Sequence, residues 1–420
     1  MNIENEVLTG KLTMDWENPK RILFGRGLTS QVSGIVRDIG AKKPVIVSDA
    51  NVKNAGITDK VVSSLKSGQI PFIENIIDAK EPDMSVALEI ARFARDNEFD
   101  CVVGVGGGSS LDMAKLMSIM KTNPGDPIKY CALPPDPASD KVKNRGVPEI
   151  LIPTTSGTGS ETSNTLVIIH EGVKTWITSN KILSTATIVD PENTYSCPPN
   201  ATRFPALDAL GHLDEGIVSS LHNQISDGLA LQGTSLVNTY LPRAYRNGHD
   251  EEARTALSLA ATMGGWVLGF PWVGGPATIG HYMAEAFGPK YRMPHGLAVA
   301  LMLPHVIDFN RSRIKHRMRQ LLSAFGEEEN PNSDDDVCDR LISHITALMR
   351  QVEVDPALMR NTKESKDLLF SMLDYMLNER QFLYNLSAYN PRQLTRDNLE
   401  HLFDDLWEGK FTASEEGKER

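Results

Sequence analysis

Four side chains in the second half of the sequence could bind one divalent metal ion. Asp208 and His212 are four residues apart in a helical pattern, so both project from one helix face and can meet a single ion. His281 and His295 follow further along the chain. Mixed carboxylate and imidazole donors suit Fe(II), Zn(II), Mn(II), Co(II) or Ni(II), whereas calcium prefers oxygen ligands. An Asp-x3-His pair alone is often an ordinary surface pair and a lone histidine is often a core residue, but the combination predicts a metal site.

A glycine-rich turn earlier in the chain is the second chemical feature. The strand-like residues 100–103 lead into the turn, and helical spacing resumes after it. Such a strand, turn and helix N-terminus offer backbone N–H groups and a positive dipole end to a pyrophosphate. Ser109 replaces the third glycine of the usual dinucleotide fingerprint, and a tight turn without a ligand is the alternative. The predicted cradle spans residues 104–109 and includes Gly106, Gly107, Gly108 and Ser109.

Two further segments favour a dinucleotide. Asp49 follows the strand pattern 44–48, where a carboxylate could bind a ribose hydroxyl and repel a 2′-phosphate, which favours NAD over NADP. A hydroxyl-rich loop at 153–161 offers many donors to ribose and nicotinamide. A metal site together with a dinucleotide site indicates hydride-transfer chemistry, in which the ion polarises the substrate oxygen.

The elements that position these residues change in character along the chain. Short apolar runs alternate with helical patterns up to about residue 190, which is typical of a parallel sheet covered on both faces. Long helical patterns then dominate. We predict an α/β dinucleotide-binding domain of residues 1–195, with a parallel sheet and helices on both faces, and an all-α metal- and substrate-binding domain of residues 196–420. The clearest strand patterns are 44–48, 72–77, 101–105 and 150–153, and the clearest helical patterns are 57–67, 83–97, 204–221, 226–245, 251–268, 277–288 and 336–353.

The composition restricts the partners. A net charge of −11 over 420 residues gives no basic surface for nucleic acid or anionic lipid, so a small-molecule substrate is expected. Four widely spaced cysteines without CxxC spacing fit a reducing compartment. The acidic N-terminus does not resemble a signal peptide, and no run of about 18 apolar residues could span a membrane. We therefore expect a cytoplasmic protein.

These motifs together resemble the iron-containing (group III) alcohol dehydrogenase family over nearly the whole chain. Residues 106–109 with Asp112 and Lys115 match the family's GGGSxxDxAK, residues 153–161 resemble its PTTxGTGSE, and the four candidate ligands fall where the family keeps its metal ligands. The resemblance implies an NAD(H)-linked oxidoreductase that interconverts a small primary alcohol and its aldehyde, with Fe(II) as the expected metal and Zn(II) as the alternative. It implies a homodimer or higher homo-oligomer. It also implies an NAD site between the domains, lined by Asp49, Gly106, Gly107, Gly108, Ser109, Asp112, Thr154, Thr155, Thr158 and Lys174.

The chain departs from this family near the expected substrate pocket. Glu285 stands where many members have a second histidine, and Gly274 stands where an asparagine is expected. Glu285 could relay a proton or accept a hydrogen bond from a ligating imidazole. Lys290 and Arg292 could bind an anionic end of the substrate, or simply face solvent.

Other functions remain as alternatives. A hydroxyacid–oxoacid transhydrogenase of the same family would exchange hydride between two substrates while the cofactor stays bound. A maleylacetate reductase is disfavoured because that branch works without the metal ligands retained here. A cyclase or lyase related to dehydroquinate synthase would share the architecture, but its metal ligands resemble Glu and His rather than the Asp-x3-His pair of this chain. A non-catalytic member of the fold is the alternative from a different class, since fold alone does not establish function.

Overall fold

The computed structural model describes residues 17–78, 81–133, 140–269, 278–327, 333–381 and 386–411, so Gly274 lies outside the described residues. Contacts divide the chain into two compact units. The first, here called the sheet unit, holds Glu17–Ala201 and Gly248–Gly265. The second, here called the helical unit, includes Thr202–Asn247 and the residues from Trp266 onward. The predicted boundary near residue 195 stays a prediction, and the inclusion of Gly248–Gly265 in the sheet unit was not expected.

The sheet unit is built from short, mostly apolar strands. Its described strands are β1 Ile22–Phe24, β2 Pro44–Asp49, β3 Ile73–Ile77, β4 Cys101–Gly106, β5 Glu149–Pro153, β6 Thr165–His170, β7 Val173–Thr178 and β8 Ala186–Val189. Six of them form one sheet in the order β1-β8-β5-β4-β2-β3, and every pair in it is parallel. The predicted fold class is confirmed. The antiparallel hairpin of β6 and β7 was not predicted.

Helices cover both faces of this sheet. The α-helices of the sheet unit up to residue 120 are α1 Val32–Asp38, α2 Ala50–Asn54, α3 Ile57–Ser67, α4 Met84–Asp96 and α5 Gly108–Met120. Alternation along β4 sends Val102 into the core beneath α4 and α5, and sends Val103 into the core on the opposite face. Because both faces are buried, β4 reads as a continuous apolar run.

The strand order creates a crevice at one edge of the sheet. The chain leaves β2 for β3 on one side, whereas it leaves β4 for β5 on the other. Ligands of open α/β sheets bind outside the carboxyl ends of strands at such a switch point. Asp49 ends β2 and Gly106 ends β4, so the two predicted cofactor residues meet at this point.

Long helices follow the sheet. They are α6 Pro199–Val218, α7 Gln224–Arg246, α8 Glu251–Gly269, α9 Ile279–Lys290, α10 His295–Ala324 and α11 Asp334–Gln351, followed by the shorter α12 Lys366–Phe370, α13 Leu373–Tyr375, α14 Leu386–Tyr389 and α15 Arg396–Glu408. A π-helical turn, Met376–Arg380, comes directly after α13. Among the described residues, no helix combines the length and the apolar character needed to cross a membrane.

Hydrogen bonds from hydroxyl groups link the segment Gly248–Gly265 to the rest of the sheet unit. Thr262 Oγ1 donates to Glu161 Oε1 at 3.0 Å, and Thr162 Oγ1 donates to the carbonyl of Thr262 at 3.0 Å. Gly159 and Gly265 lie in direct backbone contact, since a Cβ on Gly159 would be 2.3 Å from Gly265 Cα. The hydroxyl-rich loop therefore packs against a helix that is distant in the sequence.

Candidate metal centre and nucleotide cradle

Helix α6 carries the first two candidate ligands. Asp208 and His212 lie one turn apart on it and are both buried. Gly211 lies between them, and a Cβ there would be 3.2 Å from Cε1 of His281. The absence of a side chain at this position lets the His281 ring lie directly against α6.

Three of the four candidate ligands converge on one point. Asp208, His281 and His295 each offer a ligand atom, and these atoms lie within 4.8 Å of one another. Oδ1 of Asp208 is 3.4 Å from Nε2 of His281 and 3.4 Å from Nε2 of His295. The side chain of His295 is 20% exposed, against 1% for His281 and 3% for Asp208. The cluster therefore reaches solvent at His295.

His212 lies beside this cluster without joining it. Its ring stacks on that of His281, with centroids 4.7 Å apart and planes 15° apart. Its ligand nitrogens are not part of the three-residue group. Within the described part of the chain, its buried Nδ1 has no hydrogen-bond partner. The assignment of His212 as the fourth ligand stays a prediction.

Charge around the cluster is predominantly negative. Burial alone would raise the pKa of Asp208, but the imidazoles of His295 and His212 outweigh it and lower that pKa below the usual range. Burial alone would lower the pKa of His281, but the Glu215 carboxylate outweighs it and raises that pKa to about 10. Burial lowers the pKa of His212 to about 4, which keeps this ring neutral. Two buried carboxylates thus require a positive charge, which a proton on His281 or a bound cation can provide.

The donor atoms fit a divalent cation. Oδ1 of Asp208 and Nε2 of His281 are buried, and neither has a hydrogen-bond partner among the described residues. Buried polar atoms normally have hydrogen-bond partners, so two ligand atoms that face each other without such a partner indicate that a ligand binds between them. Imidazole nitrogen and carboxylate oxygen are the donors that Fe(II) and Zn(II) accept.

Glu215 is a buried residue of this site that our sequence analysis missed. It lies on α6 three residues after His212, and its Oε1 accepts a hydrogen bond from Nδ1 of His281 at 2.6 Å. The signal that could have found it is the extension of Asp-x3-His to Asp-x3-His-x2-Glu, which keeps all three residues on one helix face.

Glu285 lies one turn after His281 on α9 and forms a buried ion pair. Its Oε2 accepts from Nη2 of Arg380 at 3.1 Å, and the Arg380 side chain is fully buried. Nε of Arg380 also donates to the carbonyl of Tyr282 on α9. The charge of Glu285 is therefore compensated by a residue 95 positions away. Lys290 and Arg292, in contrast, are both exposed.

The cradle is formed where β4 passes into α5. Gly107 is the N-cap of α5, and no side chain caps this helix end, so its first N–H groups can bind an anion. Gly108 allows close approach of the hydroxyl-rich loop, because a Cβ there would be 2.6 Å from Thr158 Cγ2. Thr155 lies near Gly107, where an added Cβ would be 3.4 Å from its Oγ1. Thr155 thus lies beside Gly107 and Thr158 beside Gly108, and their binding of a cofactor stays a prediction.

Asp49 and Thr154 are anchored next to this cradle. Oδ1 of Asp49 caps α2 by accepting from the N–H groups of Asn51 and Val52, and its Oδ2 accepts from Ser110 Oγ at 2.8 Å. The N–H of Thr154 donates to the carbonyl of Gly106 at 2.9 Å. Both residues therefore have contacts that would hold them in place for a ligand.

Asp112 and Lys174 have contacts that hold the structure around the cradle together. Asp112 is buried and accepts from Ser160 Oγ at 2.6 Å and from the N–H of Val167 at 3.0 Å. Lys174 lies on β7, and its Nζ is 3.5 Å from Glu81 Oε1. The Asp112 contacts join α5 to the hydroxyl-rich loop and to β6, whereas the Lys174 contact joins β7 to Glu81.

Lys115 is wholly buried beneath the same loop. Its Nζ donates to the carbonyls of Ser163 and Thr165 at 3.1 and 2.9 Å. Burial lowers its pKa. These hydrogen bonds from Lys115 therefore hold in place the backbone that follows the hydroxyl-rich loop.

Comparisons with known proteins agree on one family. Residues 19–191 match the family model described as iron-containing alcohol dehydrogenase, and residues 204–407 match its C-terminal counterpart. The chain is similar to long-chain-alcohol dehydrogenase 1 of Geobacillus thermodenitrificans, with 32% identity over 80% of this chain and 83% of that protein. It is similar to the NAD-dependent methanol dehydrogenase of Bacillus methanolicus, with 32% identity over 74% and 81%. An alcohol dehydrogenase structure from Oenococcus oeni superimposes with a TM-score of 0.85 and 26% identity over 94% of this chain and 100% of that chain.

Proposed function

Since the chain belongs to the iron-containing alcohol dehydrogenase family, we propose that it interconverts a small primary alcohol and its aldehyde by hydride transfer with NAD(H) at a bound divalent metal. The observation that carries this proposal is the convergence of Asp208, His281 and His295 with donor atoms directed at one another. Fe(II) is the metal we expect, with Zn(II) as the alternative.

The residues of the helical unit have separate roles in this proposal. Asp208, His212, His281 and His295 hold the cation, and the Asp208 carboxylate offsets part of its charge. When bound, the cation supplies Lewis acidity at the substrate oxygen, and the nicotinamide supplies or accepts the hydride. Exposure of His295 gives the substrate oxygen access to the cluster from solvent. No protein nucleophile is required.

The residues of the sheet unit bind the dinucleotide. The N–H groups at the start of α5 bind the pyrophosphate, and Asp49 at the end of β2 binds a ribose hydroxyl. A 2′-phosphate would be repelled by Asp49, which favours NAD. Thr154, Thr155 and Thr158 offer hydroxyl groups to the remainder of the cofactor. Asp112 and Lys174 also line the cofactor site in this proposal, and Asp112 in addition holds the loop through Ser160.

Glu285 has two proposed roles, which its ion pair with Arg380 helps to separate. As a relay it would accept a proton from the substrate hydroxyl through solvent. The buried guanidinium of Arg380 binds the Glu285 carboxylate and also donates to the carbonyl of Tyr282, so it ties this side chain to α9. The contact favours a positioning role for Glu285, in which it holds α9 and hence His281. If Glu285→Gln leaves the rate and its pH profile unchanged, the relay is excluded.

The substrate is proposed only as a class. Relatives named for a long-chain alcohol and for methanol show that family membership does not determine chain length. Exposure of Lys290 and Arg292 supports a neutral substrate over an anionic one. We also propose a cytoplasmic location, supported by the lack of a disulfide among the four cysteines, all of which lie in the described residues, and a homo-oligomeric assembly, supported by the resemblance.

Metal reconstitution tests the proposal. The protein is stripped of metal, Fe(II) or Zn(II) is restored anaerobically, and NADH oxidation is followed with neutral and anionic short aldehydes. Metal-dependent turnover that Asp208→Ala abolishes would support the proposal. Hydride exchange between paired hydroxy and oxo acids, without turnover of free NADH, would select the transhydrogenase. The absence of both reactions would favour a non-catalytic member of the fold.

A further inference from the structure

Glu215 is buried between two helices that carry candidate metal ligands. It lies on α6 seven residues after Asp208 and three after His212, on the same helix face, and it has no exposed surface. Its partners lie at the start of α9, the helix that carries His281. A buried carboxylate requires hydrogen bonds or a counter-charge, and those at Glu215 come from one short segment.

Three donor groups of this segment converge on the Glu215 carboxylate. Nδ1 of His281 donates to Oε1 at 2.6 Å, and the backbone N–H of His281 lies 3.1 and 3.2 Å from the two oxygens. The hydroxyl of Thr278 donates to Oε2. Glu215 therefore pairs with the imidazole and also caps the first turn of α9, a position where Thr278, the N-cap, makes no cap bond of its own.

Gly280 makes this close contact feasible. A Cβ at this position would lie 2.4 Å from Oε1 and 2.6 Å from Cδ of Glu215. Any side chain would therefore push the carboxylate away from the end of α9. The glycine before His281 is thus explained by the carboxylate that lies against it.

We infer that Glu215 is the positioning residue of the metal centre, an inference that rests on the proposed function. By accepting a hydrogen bond from Nδ1–H, it keeps the proton on Nδ1 and leaves the lone pair of His281 on Nε2, the nitrogen that faces Asp208. By binding the backbone of the same residue, it sets the distance between α9 and α6. One carboxylate thus controls both the tautomer and the location of the ligand.

Metal affinity is the direct test. Wild-type protein is stripped of metal and titrated with Co(II) and Zn(II) against a chelator, and the visible spectrum of bound Co(II) is recorded. Glu215→Gln keeps the size of the side chain but can present an N–H to Nδ1. We expect its metal dissociation constant to rise about 10- to 100-fold, as for other partners of ligating histidines, with a changed Co(II) spectrum.

Asp214→Asn is the matched control. Asp214 is an equally buried carboxylate on the same helix, but it accepts from Thr234 Oγ1 at 2.7 Å, and within the described residues it makes no hydrogen bond to a candidate metal ligand. Its substitution should leave the metal dissociation constant within about twofold, whatever it does to stability. Equal weakening by both variants would overturn the inference, because burial rather than the contact with His281 would then be responsible.

Two further variants separate the possible failures. If wild-type protein binds neither metal, or Asp208→Ala binds as wild type does, the proposed function fails. If Asp208→Ala loses binding while Glu215→Gln binds as wild type does, the positioning role alone fails. Should Glu215→Gln not fold, Thr278→Val replaces it. Removal of this single donor should weaken metal binding about three- to tenfold, the range for one hydrogen bond, and unchanged affinity would overturn the inference.

Discussion

Removing the buried carboxyl group of Glu149 should change how the stability of the protein depends on pH. Glu149 is the first residue of β5, and only 3% of it is exposed. Neither of its carboxylate oxygens has a hydrogen-bond partner within the described residues. Burial raises its pKa from an ordinary 4.5 to about 8, although the nearby Lys115 acts in the opposite direction.

The sign and size of the effect follow from this pKa. Below pH 4.5 the carboxyl group is neutral in both the folded and the unfolded chain, so it has no pH-dependent effect there. Between pH 4.5 and about 8 only the unfolded chain loses the proton, so the free energy of unfolding falls as the pH rises. A difference of about 3.5 pKa units corresponds to roughly 5 kcal/mol, reached above pH 8.

Urea unfolding of wild type and Glu149→Gln between pH 5 and 9 measures the effect. The glutamine cannot ionise, so the variant should gain stability relative to wild type as the pH rises, by up to about 5 kcal/mol at pH 9. Glu98→Gln is the control, because the Glu98 side chain is 89% exposed. Parallel profiles for wild type and Glu149→Gln would refute the reasoning, since the carboxyl group would then ionise alike in both states.

Three further outcomes are expected. Asp49→Asn should raise the kcat/KM for NADPH relative to NADH at least about tenfold, because it removes the negative charge that would repel the 2′-phosphate. An unchanged ratio would place Asp49 away from the ribose. Arg292→Glu should leave kcat/KM for anionic aldehydes within about twofold, since Arg292 is exposed, and a larger loss would show that it binds substrate. In a thiol-reagent titration, at most one cysteine of the native protein should react within minutes, and all four should react after denaturation. The reason is that burial raises the thiol pKa of Cys101, Cys131 and Cys338. Rapid reaction of more than one cysteine in the native protein would show that these buried sites open.

Local periodicity accounts for the part of the fold that could be predicted from the sequence. The strand pattern 101–105 corresponds to β4, and the helical pattern 251–268 corresponds to α8. Both periodicities arise within a few neighbouring residues, so they can be recognised without knowledge of the fold. The hairpin of β6 and β7 was missed although residues 166–169 are a continuous apolar run and a two-residue turn, Glu171-Gly172, joins the strands. The attachment of Gly248–Gly265 to the sheet unit was missed because it depends on contacts with residues about 100 positions away.

The candidate site divides in the same way. The spacing of Asp208 and His212 alone predicts that both lie on one helix face, and the glycine-rich turn alone predicts a helix end open to an anion. The types of side chain also restrict the metal to those that accept imidazole and carboxylate. These properties follow from residue chemistry and from distances along a helix.

Tertiary structure decided which distant residues meet. Asp208 lies within 3.4 Å of His281 and His295 because α9 and α10 begin beside α6. The pairing of Glu215 with His281 and of Glu285 with Arg380 joins residues 66 and 95 positions apart. No helical or strand period extends over such separations, and only the packing of helices brings these side chains into contact. The sequence by itself determined which groups could do chemistry, and the packing of the helices decided which of them face one another.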